Sequence, residues 1–77
     1  MRPLTCAERR ALQHELMLYR RQFSVNRKDM RVLQESRRRG EIGDAGFKTN
    51  MVLCRNREAD LRLVIRDLER DLTEGGG

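Results

Sequence analysis

A chain of 77 residues with 38% charged side chains, one proline and only three aromatics, Tyr19, Phe23 and Phe47, has the composition of long helices and argues against an all-β fold. At that length one small domain fits, residues 1 to 77, and such a chain buries only about 60% of the surface it exposes when unfolded. Two widely separated cysteines, Cys6 and Cys54, make neither a CxxC ligand pair nor a secreted disulfide framework, so reduced thiols in an intracellular protein and no metal are expected. No apolar run approaches the roughly 20 residues of a bilayer span, and the N-terminus lacks the apolar core of a signal peptide, which predicts a soluble protein with no membrane partner.

The net charge of +5 is unevenly distributed. Residues 1 to 39 carry eleven Arg and Lys against four acids, and residues 40 to 77 carry six against eight. The change of sign falls at "GEIGDAG", the only cluster of helix breakers inside the chain. Between Thr5 and Arg39, and again between Phe47 and Glu74, the sequence holds neither Gly nor Pro. The predicted elements are a helix over about 5–39, a glycine turn over 40–46 with Asp44 as N-cap, a second helix over about 47–73, and a flexible tail over 74–77.

In the first helix Leu12, Leu16, Tyr19, Phe23, Asn26, Met30 and Leu33 follow the alternating four-and-three spacing of a heptad seam. Phe47, Met51, Cys54, Glu58, Leu61, Ile65, Leu68 and Leu72 repeat it in the second. Folding the chain back about the turn gives one register that satisfies every layer. Leu12 meets Leu72, Leu16 meets Leu68, Tyr19 meets Ile65, Phe23 meets Leu61, Met30 meets Cys54, Leu33 meets Met51, and the Arg37 stem lies along Phe47. In that register Asn26 faces Glu58, a polar layer that fixes register at a cost in stability. A competing reading makes Asn26 the N-cap of a new helix, with Asp29 three residues on.

Two helices cannot bury everything apolar in this chain. Ala11, Leu18, Val25 and Val32 recur every seven residues on a second stripe of the first helix, and Leu53, Leu63 and Val64 lie off the seam of the second. A stripe in phase over several heptads points to contact with another chain. On one flank the register also sets Arg20 beside Arg62 and Arg27 beside Arg55, with Lys48 near the turn, like-charge pairs that an acidic surface would relieve. The other flank is mixed, with Asp29 opposite Arg57.

Catalytic chemistry is absent from the pattern. His14 is the only histidine and falls on an outward-facing heptad position, and no Ser/His/Asp set, Cys/His pair, HExxH or phosphate-cradling loop occurs. The sequence therefore predicts an all-α antiparallel two-helix hairpin, coiled-coil-like, completed into a bundle by a partner or by self-association, with no enzymatic activity and no cofactor. Its expected role is a small adaptor subunit of a multiprotein assembly in the cytoplasm or nucleus. The partner-binding residues are Ala11, Leu18, Val25 and Val32 on the stripe and Arg20, Arg27, Arg55 and Arg62 on the basic flank, and Asn26 and Glu58 set the register. The expected partner is a protein with an apolar groove and an acidic surface, or a second copy of the chain. An RNA-binding hairpin dimer is the first alternative, set lower because the basic flank has no exposed aromatic platform and the second half is net acidic.

A further alternative comes by resemblance. Leu18-Tyr19-Arg20 in a basic helix, followed by Phe47-Lys48-Thr49-Asn50, resembles the motifs of the LYR family of small mitochondrial accessory proteins. The resemblance implies three helices, binding to an acylated carrier protein, assistance to iron-sulfur, respiratory-complex or ribosome assembly in the mitochondrial matrix, and motif roles for Tyr19, Arg20 and Phe47.

Overall fold

The structure, a computed structural model, describes residues 3–75. These residues form two helices, α1 over Cys6–Arg38 and α2 over Asp44–Gly75, packed side by side as an antiparallel hairpin. The rod measures 54 × 16 × 13 Å. Its length is what about 33 residues at a rise of about 1.5 Å each dictate.

Both ends of α1 are set by local hydrogen bonds. Thr5 is the N-cap: its hydroxyl accepts from the Glu8 amide at 3.1 Å while the Glu8 carboxylate accepts from the Thr5 amide at 3.4 Å, a reciprocal capping box. At the other end Gly40 takes φ +77, the left-handed conformation that a side chain resists. Its amide donates to the Arg37 carbonyl at 3.0 Å and the Glu41 amide to the Ser36 carbonyl at 2.9 Å, the paired bonds of a Schellman stop. α1 is continuous through Asn26, because that side chain is turned toward the other helix rather than back onto its own backbone.

α2 begins earlier than residue 47. The Gly43 carbonyl accepts from the Phe47 amide at 2.9 Å, so Gly43 occupies the cap position and Asp44, expected there, lies in the first turn. Its carboxylate is favourable at the positive end of the helix dipole and reaches Arg37 across the turn at 3.3 Å. Gly46 is helical as well, since its missing side chain leaves room for Ile42, whose Cγ1 would stand 3.3 Å from a Cβ added there. At the C-terminus the helix continues through Gly75 instead of ending at 73. The remainder of the expected tail, 76 and 77, lies outside the described residues.

Every apolar seam position is buried or half-buried, and Leu16, Met51, Leu61 and Leu68 form the buried apolar core. The Arg37 guanidinium lies 4.6 Å from the centre of the Phe47 ring, as expected for the last layer before the turn. Asn26, at 1% exposure, is buried more deeply than any of those four apolar residues.

Candidate interaction surfaces

The polar layer is built differently from its expectation. Asn26 Nδ2 donates to the main-chain carbonyl of Cys54 at 2.9 Å, not to the Glu58 carboxylate. Glu58 is half-buried and pairs with Arg62, one turn further along its own helix, at 3.2 Å. The reason is electrostatic. A carboxylate with a cation at i+4 and a path to solvent loses less by turning outward than by staying in an apolar layer, and the short Asn side chain then reaches the carbonyl beneath it. Asn26 Oδ1 is left buried with no hydrogen-bond partner among the described residues. An orphan acceptor of this kind costs about 1 to 3 kcal/mol.

Heptad geometry places the remaining side chains on two long sides of the rod. One holds Arg20, Arg27, Arg55 and Arg62. Phe23 lies between the guanidinium groups of Arg27 and Arg62, 5.9 and 5.7 Å from its ring centre, and forms a groove of about 530 Å³ with Arg20, Arg66 and Glu69. Arg20 pairs with Glu69 at 3.7 Å and Arg62 with Glu58. The like-charge pairs expected to need an outside acid are thus partly answered by the chain's own glutamates, and Arg27 by an aromatic face. Arg55 shares a shallow groove on α2 with Arg62, Leu63 and Arg66. Both glutamates were legible in principle, since Glu58 and Glu69 stand four before and seven after Arg62 on one edge of its helix.

The opposite side is aliphatic. Val32 and Leu53 line one groove with Asp29, Asn50 and Arg57, above half-buried Leu33 and Cys54, and Val25 lines its continuation with Arg21, Gln22 and Asn26. Leu18 lies one heptad before Val25, and Val64 one heptad after Arg57, on the same side. Val25, Val32 and Leu53 are 53%, 58% and 57% exposed, and Ala11, at the head of the stripe, is exposed too. Leu63 falls on the arginine side instead. The stripe and the arginines, treated together in the sequence reading, occupy opposite faces of the hairpin. No ion pair joins Asp29 to Arg57 among the described residues.

His14 and Cys6 are exposed and Cys54 is half-buried; no group of three or more His, Cys, Asp or Glu is arranged to hold a metal among the described residues. No helix of the described residues is long and apolar enough to cross a membrane. The three-helix architecture implied by the LYR resemblance is not that of this chain, whose described residues form two. Tyr19 is half-buried in the seam, Arg20 bonds Glu69, and Phe47 lies beneath Arg37, so all three motif residues are engaged within the hairpin. No family model, curated protein or solved structure matches the chain.

Proposed function

We propose that this chain is a non-enzymatic helical interaction subunit that docks onto protein partners through its aliphatic side, with the arginine side steering it toward acidic surfaces. The observation that supports this is the aliphatic side itself. Leu18, Val25, Val32, Leu53 and Val64 line one face of a rod whose buried apolar core, among the described residues, is Leu16, Met51, Leu61 and Leu68, and a face of that kind gains most by being covered. Charge on the other side contributes mainly to the rate and selectivity of encounter.

The test is capture of partners from lysate by the tagged chain, with the bound proteins identified. Changing Leu18, Val25 and Val32 to Gln together should abolish capture at any salt concentration while the helices persist by circular dichroism. Changing Arg20, Arg27, Arg55 and Arg62 to Gln should slow association and flatten its salt dependence. Loss of binding with the arginine set alone, together with competition by nucleic acid, would replace this reading with the RNA-binding one, because phosphate contacts weaken steeply with salt.

A further inference from the structure

We infer that the aliphatic side is covered by a second copy of the same chain, in an antiparallel four-helix dimer whose two-fold axis passes beside Val25. This rests on the aliphatic side being a docking face and names its occupant.

The first argument is the symmetry of the surface. A closed two-fold interface presents the same patch twice, so the patch must complement itself under a half-turn. With the axis perpendicular to the rod at Val25, a half-turn sets Val25 on Val25 and Leu18 on Val32, because those two stand seven residues to either side. It also sets Arg21 against Asp29, each four residues from Val25, and both line this side's groove. On α2 the seam register sets Ala59 level with Val25, and half a residue away, between Glu58 and Ala59, lies a second centre of exchange. About that point Leu53 exchanges with Val64 and Arg57 with Asp60. The two centres agree to within half a residue, about 0.8 Å of helix rise: aliphatics fall on aliphatics and each of these acids on a base. A larger partner protein would impose no such internal symmetry on the residues it covers.

The second argument is area. The chain exposes 6095 Å², whereas a compact monomer of 9.1 kDa exposes about 4,900 Å². The excess, about 1,200 Å² per chain, is more than the roughly 800 Å² that each partner contributes to a standard stable interface. Joining two rods along this side makes α1 pack on α1 and α2 on α2, all neighbours antiparallel, and leaves both arginine sides outward.

Sedimentation of the full chain across a wide concentration range should show a monomer–dimer equilibrium. Val25→Glu, which sets two carboxylates together on the axis, should weaken it by about a hundredfold or more. Arg21→Asp and Asp29→Arg should each weaken it, and the two together should restore it, with unchanged helicity in all three. In a background with Cys6 and Cys54 changed to Ser, diamide oxidation should link Val25→Cys chains to one another. It should link Leu18→Cys to Val32→Cys, but not Leu18→Cys to itself. A monomer at every concentration, absence of charge-swap rescue, or self-linking of Leu18→Cys equal to that of Val25→Cys overturns the dimer. A monomer whose capture of other proteins is still abolished by the Leu18, Val25 and Val32 substitutions leaves the docking reading standing; a dimer whose capture survives them removes the docking reading.

Discussion

The two long sides of the hairpin flank the same seam but meet solvent differently. On the arginine side the long side chains swing back onto what the chain provides: Arg20 onto Glu69, Arg62 onto Glu58 and Phe23, Arg27 onto Phe23. On the other side Val25, Val32 and Val64 are branched at Cβ and held to few rotamers, so they cannot bend down onto a seam that Leu33 and Ile65 already occupy. Flexible cations can satisfy themselves within one molecule. Stiff aliphatics outside the seam can be covered only by another molecule, so the aliphatic side, although Arg21, Asp29 and Arg57 line its grooves, stands to gain more from being covered.

The comparison is sharpened most by truncating one residue from the seam and one from the aliphatic side. Leu61→Ala should cost about 2 to 5 kcal/mol, enough to melt much of a hairpin with so small a core. Val32→Ala should cost less than about 0.5 kcal/mol in dilute solution, where its side chain meets water. Thermal melts followed by circular dichroism at low and high concentration read both. If the side is covered, the Val32→Ala cost grows with concentration while the Leu61→Ala cost persists throughout; a Val32→Ala cost equal to that of Leu61→Ala in dilute solution would mean the two positions do not differ in burial.

Asn26 separates the sides at their midpoint and should respond in the opposite direction. Its amide donates to a carbonyl that the backbone of α2 already uses, so removing it leaves no donor or acceptor newly unpaired, and it also removes the orphan oxygen. Asn26→Leu should therefore stabilise the hairpin by about 1 to 2 kcal/mol, and a double-mutant cycle with Glu58→Gln should show no coupling. The gain should come with a looser choice of register, seen as mixed products in cysteine cross-linking between the helices. Destabilisation by Asn26→Leu would show that the oxygen is satisfied in solution.

The spacing of the seam was legible because its signal is long: fifteen positions keep one spacing, and one fold-back aligns them. Chain reversal at the glycines was legible too, but not which glycine does what. Gly40 stops α1 through a left-handed φ, whereas Gly46 serves inside α2 by making room for Ile42, and local sequence does not separate those uses. Asn26 was identified and its partner was not, since residue spacing reports which side chains face one another but is silent about main-chain carbonyls. The division of stripe and arginines onto opposite sides was implicit in the heptad positions. It became plain only when both helices' outer positions were placed around one axis.

On the arginine side the comparison makes its finest distinction. Arg62 and Arg55 occupy equivalent positions one heptad apart, yet Arg62 stacks on Phe23 and pairs with half-buried Glu58, while Arg55 makes neither contact. Arg62→Gln should lower stability by about 0.5 to 1 kcal/mol, and Arg55→Gln should change it by less than about 0.5 kcal/mol. Salt divides the Arg62 effect further: near 1 M the Debye length falls to about 3 Å, so the exposed ion pair weakens while the guanidinium on the ring persists. Replacing Phe23 by Leu, which keeps the seam filled but removes the ring face, should bring the two arginines closer in effect. If Arg55→Gln costs as much as Arg62→Gln in the wild-type background at high salt, Phe23 does not hold Arg62, and the arginine side is solvated along its whole length.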